Sequence, residues 1–180
     1  MLAQKTTIRK MENRHLLDVD KFKELSRTIS RHVEEEDILK YIRECEDVCI
    51  IPSIGLEMFK NLCKHNVTEE LQILLSGGEY TGECGELKRC DGLQISLAYF
   101  VYAKMLRVDG AMLARTGFMR HDDSYSSHVT DKANTQQYND VMNVAEKYLN
   151  SSLMYLKYLK RGENVKEIKG FRTRIKAIGD

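Results

Sequence analysis

Residues that interrupt helices are scarce in this sequence, which has one proline and eleven glycines among 180 residues. Because proline and glycine are the two residues least compatible with a helix interior, their scarcity predicts a mostly helical protein. Long apolar runs are also missing, and none approaches the roughly 20 residues that a bilayer-spanning helix needs. Charged side chains interrupt residues 1–17, so this segment lacks the apolar stretch of a secretory signal peptide. The composition therefore predicts a helical protein without a membrane span.

The five cysteines do not form the pattern of a disulfide framework, since their number is odd and their spacing is irregular. We interpret them as reduced, partly buried thiols of a cytosolic protein. Cys45 and Cys49 lie four residues apart, and Cys84 and Cys90 flank a glycine-containing loop. These spacings differ from the tight pairs of zinc sites. Because Cys45 and Cys49 fall on the apolar face of a predicted helix, we interpret them as small buried hydrophobic side chains and predict no metal and no cofactor.

Charge is distributed unevenly although the net charge is only +1. Residues 1–32 carry a net +4, residues 33–150 a net −8, and residues 151–180 a net +5. Basic ends of this kind contact an acidic partner or a phosphate backbone, or act only as solvated flanks. A general nucleic-acid-binding protein would present a concentrated basic face, which an acidic body does not provide.

The length is sufficient for one domain with a hydrophobic core. We divide the chain into an N-terminal extension or arm (residues 1–32), a helical domain (33–162) and a basic C-terminal tail (163–180). The first predicted helix covers residues 34–51, because four carboxylates at its start favour a helix N-terminus and Pro52 disfavours a helical conformation in the residue before it. Its apolar face is formed by Ile38, Ile42, Cys45, Val48 and Cys49.

Further helices are predicted where apolar residues recur at three- and four-residue steps. They cover residues 54–63, 68–76, 91–114 and 131–160. Asn66 or Thr68 can cap the helix that Gly77 and Gly78 close. Residues 79–90 are predicted to form a loop or small hairpin, and residues 115–130 an extended arm. The predicted fold is thus mostly α, a bundle of about four to five helices with a short hairpin or loop, an extended arm and a basic tail.

Side chains that commonly carry catalysis do not converge in this sequence. Residues 121–123 (His-Asp-Asp) and His128 can supply mixed nitrogen and oxygen ligands, but their spacing matches no metal motif, and we interpret the segment as a solvated loop. Tyr148, Tyr155 and Tyr158 lie near several lysines, which suits either base stacking or a protein–protein interface. We favour the interface, since amphipathic tyrosines are common there. The sequence predicts no enzyme.

Several short motifs occur in a defined order along the chain. They are a DxxIxPxxG turn at residues 47–55, Phe59 with Leu62, an LLxGG-Tyr corner at 74–80, an apolar Gly-Leu segment at 92–103, Thr-Gly-Phe at 116–118, a serine-containing segment at 124–127, and tyrosines and leucines at 138–159. This order resembles the head–tail connector (adaptor) proteins of tailed bacteriophages, most closely those of crAss-like phages. The resemblance covers about residues 33–160, residues 22–33 look like the N-terminal extension of the crAss-like members, and the basic tail lies outside it.

The resemblance implies a structural virion protein that assembles in the host cytoplasm and resides at the portal–tail junction. Copies of such a protein form a ring, usually a dodecamer, that joins the portal vertex of the capsid to the tail and leaves a channel for DNA ejection. The implied partners are further copies of the chain, the portal protein, other tail or ring proteins, and DNA that passes without sequence recognition; no membrane partner is implied.

We expect the arm, the last helix and the tail to supply contacts to partners or to other copies. The candidate contact residues are Thr116, Phe118, Arg120, His121, Tyr125, His128, Tyr155, Tyr158, Lys169, Phe171, Arg172 and Arg174.

Two other classes of protein fit parts of the sequence. One is a phage-encoded helical module that regulates a host protein through protein–protein contacts. The other is a nucleic-acid-binding protein that uses residues 151–180, whose binding would depend strongly on salt. We rank the connector above the interaction module and the module above the nucleic-acid binder.

Overall fold

The structure is a computed structural model that describes residues 15–29, 33–64, 67–82, 84–108, 111–114, 117–120 and 131–161. Most of these residues are helical, so the predicted fold class is confirmed. The helices are α1 (Val19–Leu25), α2 (Glu35–Cys45), a π-helical turn (Glu46–Ile50), α3 (Ile51–Ile54), α4 (Leu56–Leu62), α5 (Glu69–Ser76), α6 (Leu93–Val108) and α7 (Asp131–Arg161). Two antiparallel hairpins pair β1 (Gly78–Thr81) with β2 (Leu87–Cys90), and β3 (Ala111–Ala114) with β4 (Gly117–Arg120). No described helix is both long and apolar enough to cross a membrane.

The two longest helices, α6 and α7, form the centre of the molecule and run antiparallel. Near one end the backbone N–H of Asp91 donates to Ser151 Oγ at 3.2 Å, and near the other the Arg107 guanidinium lies 5.3 Å from the Tyr138 ring centre. Other helices pack around this pair and complete one hydrophobic core. Its largest fully buried side chains include Phe22, Ile38, Ile42, Ile50, Leu74, Leu93, Leu97, Val101, Val141 and Tyr155.

Part of the predicted N-terminal extension belongs to this core. Leu16, Leu17 and Phe22 are buried, and the side-chain amide of Gln94 in α6 donates to the Leu16 carbonyl at 2.7 Å. The Asp18 carboxylate accepts from the Lys21 N–H at 2.7 Å and so caps α1. The described part of the extension therefore packs against the helical body instead of lying apart from it.

The helix that was expected to end at Ile51 continues to Ile54, so that prediction was wrong. A π-helical turn precedes Pro52, and within it the Ile51 N–H bonds to the carbonyl of Glu46, five residues earlier. Pro52 lies in the first turn of α3, where its missing N–H removes no α-helical hydrogen bond of that helix. The break comes at Gly55, whose φ of 89° ends the helix and allows α4 to start at the next residue.

The end of α6 was also placed too late. Residues 111–114 were expected to continue the helix, but they form β3, and the predicted arm after them begins with β4. Ala111 pairs with Arg120 and Ala114 with Gly117 in a short hairpin. The four apolar residues Ala-Met-Leu-Ala fit a short strand as well as a helix, and Gly110 just before them favours a helix end that the helical periodicity alone did not predict. Of the predicted arm, residues 115–130, only β4 lies within the described residues.

Two glycines hold the base of the first hairpin. Gly77 ends α5 with a φ of 92°, and Gly92 precedes α6 with a φ of 94°. A Cβ on Gly77 would lie 2.6 Å from the Asp91 carbonyl oxygen, and one on Gly92 would lie 2.4 Å from the Gly77 nitrogen. Because only glycine permits this backbone contact, the chain leaves α5, forms β1–β2 and returns to α6 at nearly the same point. The expected cap and end of α5, at Thr68 and Gly77, are confirmed, as is the helix over residues 131–160.

Candidate functional site

A cluster of tyrosines lies where the end of α7 meets the first hairpin. The rings of Tyr80 and Tyr155 have centroids 4.7 Å apart, and those of Tyr80 and Tyr158 are 5.2 Å apart. We call this region the tyrosine end and define it by Tyr80, Met154, Tyr155, Lys157, Tyr158 and Lys160. The exposed fraction is 67% for Met154 and 37% for Tyr158. These two side chains lie four residues apart on α7 and thus face solvent on the helix that also carries Lys157 and Lys160.

Tyr155 connects the tyrosine end to the core and to α5. Its ring is buried, and its hydroxyl donates to the Glu70 carbonyl of α5 at 3.2 Å. Burial of the ring raises the pKa of the Tyr155 hydroxyl, so the group stays neutral and keeps donating. Tyr99 and Tyr148 form a second aromatic contact further along the α6–α7 interface, with ring centroids 5.3 Å apart. Aromatic contacts with Tyr80 and Tyr155 therefore hold the Tyr158 ring in place.

The π turn and the start of α4 each expose an apolar side chain. Val48 is 66% exposed and Leu56 is 53% exposed. The side chains of Asp47 and Glu57 are exposed beside them. We call this region the turn surface and define it by Asp47, Val48, Leu56 and Glu57. It carries acidic side chains next to exposed apolar ones, the opposite charge to the tyrosine end.

The π turn is anchored from inside by Glu46. Its buried carboxylate accepts from the Leu16 N–H at 2.7 Å and lies 2.7 Å from Nδ1 of His15. Because Nε2 of His15 accepts from Nε of Arg43 at 3.2 Å, the imidazole proton is on Nδ1 and is donated to Glu46. Burial raises the pKa of the Glu46 carboxyl, while the hydrogen bonds from His15 and Leu16 oppose that rise. The cluster ties the N-terminal segment to the π turn.

The thiols of Cys45 and Cys49 lie beside the same turn. A hydrogen bond to Cys49 and burial both raise the pKa of Cys45, so this thiol stays protonated. Cys45 is buried and Cys49 is half-buried, in agreement with their predicted place on the apolar face. The ammonium of Lys104 in α6 lies 2.5 Å from the Glu44 carboxylate nearby. This pair joins the end of α2 to the second half of α6.

A cavity of about 520 Å³ lies between the N-terminal segment, α4, α5 and α6. Leu16, Leu62 and Leu75 line it together with polar side chains such as Lys64 and Gln72. Gln94 also contributes to the lining, and its side-chain oxygen is buried without a partner among the described residues. That oxygen has no accessible surface, so a molecule in the cavity would not reach it.

The structure describes only part of the predicted contact set. Tyr155 and Tyr158 lie together at the tyrosine end, and Phe118 and Arg120 lie in β4. The remaining candidates, together with the histidine–aspartate segment considered for metal binding, are outside the described residues; they are Thr116, His121, Tyr125, His128, Lys169, Phe171, Arg172 and Arg174. Among the described residues no group of three or more His, Cys, Asp or Glu side chains is arranged to hold a metal ion.

Sequence reasoning missed the turn surface and half of the tyrosine end. Val48 was assigned to the apolar face of the first helix, and this was wrong because it is exposed. The π turn adds one residue to the helical repeat, so the buried face passes from Cys45 to Ile50. Met154 gave no signal of its own, since single apolar residues are common on surfaces. Its position one helical turn before Tyr158 is what makes it notable.

Comparison with known families shows that the chain belongs to DUF6712, a family of unknown function, whose profile matches residues 50–161. The match includes Leu56 of the turn surface, the Gly77–Gly92 contact and the whole tyrosine end. It leaves out the N-terminal segment that packs against Glu46. No curated protein and no solved structure matches the chain.

Proposed function

We propose that this protein is a structural virion protein, copies of which form a ring that joins the portal vertex of a phage capsid to the tail. The observation that carries the proposal is that Met154 and Tyr158 of α7, and Val48 and Leu56 near the π turn, are exposed although they are large apolar or aromatic side chains. Methionine and aromatic side chains are enriched in protein–protein contacts. The order of motifs resembles that of phage head–tail connectors, and this resemblance is why we propose that the contacts are made in a connector ring.

The charge distribution supports this role. A body with a net charge of −8 would repel DNA if it faced the channel, so DNA would pass without being held. The basic ends of the chain are then available for the portal or for neighbouring tail proteins. A ring of identical wedges closes by cyclic symmetry when each copy contacts the next through two different surfaces.

The test is negative-stain imaging of the protein mixed with the portal protein of the same phage, with the full chain and with a variant lacking residues 163–180. A ring stacked coaxially on the portal is the expected result. Loss of that ring in the shortened variant would show that the basic tail makes the contact with the portal. No added density on the portal at any protein concentration would contradict the proposal and would favour a phage-encoded helical module that binds a host protein.

A further inference from the structure

Opposite charges surround the two exposed apolar surfaces. Residues 44–59, which include the turn surface, contain four acidic residues and no basic one. Residues 147–161, which include the α7 part of the tyrosine end, contain four basic residues and no acidic one. Asp47, Glu57, Lys157 and Lys160 form no ion pair with another described residue. Each surface therefore presents an apolar centre and charges that are not neutralised within the described part of the chain.

The two surfaces lie toward opposite ends of α6. The turn surface follows α2, whose Glu44 pairs with Lys104, and the tyrosine end follows Ser151, whose hydroxyl bonds to the backbone of Asp91. Lys104 lies eleven residues beyond Leu93, the first residue of α6, and Asp91 comes just before that helix, so the two anchors are at least about 16 Å apart along it. Within one copy the surfaces are therefore too far apart to cover each other, whereas the turn surface of one copy can meet the tyrosine end of the next.

We propose that the turn surface binds the tyrosine end of a second copy of this chain, in a head-to-tail contact. Val48 and Leu56 would cover Met154 and Tyr158. Asp47 and Glu57 would face Lys157 and Lys160, and opposite charges at the rim of such a contact raise both its specificity and its rate of formation. Because the two surfaces differ, the contact repeats from copy to copy and gives a ring or an open chain instead of a closed two-fold dimer.

This inference deepens the proposed ring function, since it names the surfaces by which copies join. Its test uses two double variants of the full chain, Asp47→Lys with Glu57→Lys, and Lys157→Glu with Lys160→Glu. Self-association of the wild type and of each variant is measured by sedimentation velocity at low salt. The wild type is expected to associate, and each variant alone is expected to associate at least tenfold more weakly because like charges then face each other.

Mixing the two variants gives the decisive result. In the mixture the unchanged tyrosine end of the first variant meets the unchanged turn surface of the second, and the two reversed surfaces are again complementary. Association in the mixture is therefore expected to return to the wild-type level. A failure of the mixture to recover, or a loss caused by the lysine variant but not by the acidic one, would overturn the head-to-tail arrangement. A wild type that stays monomeric at every concentration would overturn it as well.

Matched controls use the same change of charge at other exposed positions. Glu36→Lys with Glu69→Lys changes two acidic residues that lie, like Asp47 and Glu57, in the first turn of their helical segments. Lys23→Glu with Lys40→Glu changes two exposed lysines on α1 and α2, whose ion pairs with Glu35 and Asp37 are exposed and contribute little to stability. Both controls are expected to associate as the wild type does. Equal weakening by these controls would show that net charge alone acts, and would overturn the assignment of the two surfaces.

Imaging with the portal separates this inference from the proposed function. If the charge-reversed variants still form rings on the portal, the head-to-tail contact is wrong while the connector function stands. If the wild type adds no density to the portal but associates through these two surfaces, the connector function is wrong while the contact between copies stands.

Discussion

The carboxylate of Glu46 joins the π turn to the N-terminal segment at His15 and Leu16. Replacing it with alanine would leave the buried Leu16 N–H without an acceptor and would take away the partner of His15. We expect Glu46→Ala to lower the free energy of unfolding by about 1–3 kcal/mol, the usual cost of an unsatisfied buried donor. Urea denaturation at neutral pH measures this. An unchanged unfolding midpoint would contradict the anchoring role of Glu46.

The same residue gives a prediction for pH. Because burial raises the Glu46 pKa above its ordinary 4.5, the folded protein holds this proton more tightly than the unfolded chain does. The stability that the proton contributes is complete below pH 4.5 and is lost as pH rises through the raised pKa. Glu46→Gln does not titrate and still offers an oxygen to Leu16. The wild type should therefore lose stability relative to Glu46→Gln as the pH is raised above 4.5.

Denaturation of both proteins at a series of pH values tests this. Because His15 is hydrogen-bonded to Glu46, the difference between the two curves reports on the Glu46–His15 pair. Two curves that stay parallel across the series would show that the pKa of Glu46 is not raised by folding.

At the scale of single residues, the sequence was informative where a local rule decides the outcome. Thr68 and Gly77 are the cap and the end of α5, as their side-chain and backbone chemistry predicts. Val48 was misplaced because its exposure depends on a π turn, which has no residue-level signal comparable to a helix cap. Tyr80 was not predicted as part of the site, since only the return of the hairpin brings it to Tyr155 and Tyr158.

The first hairpin shows how one element depends on backbone contact. A methyl group on Gly77 would meet the Asp91 carbonyl at 2.6 Å and would also face a φ of 92°. Gly85, in the turn of the same hairpin, has a φ of 78°, but a methyl group there would have nothing within 4 Å of it. Gly85→Ala should therefore cost only the conformational strain, about 1–2 kcal/mol. Gly77→Ala should cost about 1–3 kcal/mol more, as overpacking does.

Thermal unfolding of the two alanine variants makes the comparison. Equal losses for Gly77→Ala and Gly85→Ala would show that the Gly77–Gly92 contact is not needed to hold the hairpin. A loss confined to Gly77→Ala, together with weaker self-association, would also show that the hairpin orients the tyrosine end.

At the scale of elements, the sequence predicted that the long helices exist but misplaced some of the residues at which they end. In α6 and α7 apolar residues recur every three or four positions over several turns, and this pattern is long enough to identify both helices because each buries one face along its length. The end of α6 and the passage through Pro52 were wrong for different reasons. Ala111–Ala114 pairs with a strand that follows it, which a helical period cannot reveal, and Pro52 is accommodated by a π turn that precedes it.

At the scale of the whole molecule, the described N-terminal segment and the helical body share one core. Phe22 is fully buried, as is Ile42 of α2. We expect Phe22→Ala to lower the free energy of unfolding by about 3–5 kcal/mol, as truncation of a buried phenylalanine does. Ile42→Ala, the matched core variant, should lose about 2–5 kcal/mol. Denaturation of both proteins should remain a single transition. A small loss for Phe22→Ala beside a large one for Ile42→Ala would show that residues 16–25 are a separate arm.

Assembly should also be visible in the stability of the whole protein. If copies bind each other through the turn surface and the tyrosine end, only folded chains take part, so association stabilises the folded state by mass action. Raising the protein concentration to about 100 times the dissociation constant adds about 2.7 kcal/mol to the folded state for one contact. The Tm of the wild type should therefore rise steadily with protein concentration in scanning calorimetry.

The variant Lys157→Glu with Lys160→Glu should have a Tm that rises much less with protein concentration, because its copies associate at least tenfold more weakly. Lys23→Glu with Lys40→Glu should follow the wild type. Added salt should flatten the wild-type curve, since the charges at the rim of the contact are exposed and are screened within about 10 Å at 0.1 M ionic strength. A wild-type Tm that is the same at every concentration, or one that rises equally in the lysine variant, would mean that the stability of the fold does not depend on contact between these two surfaces.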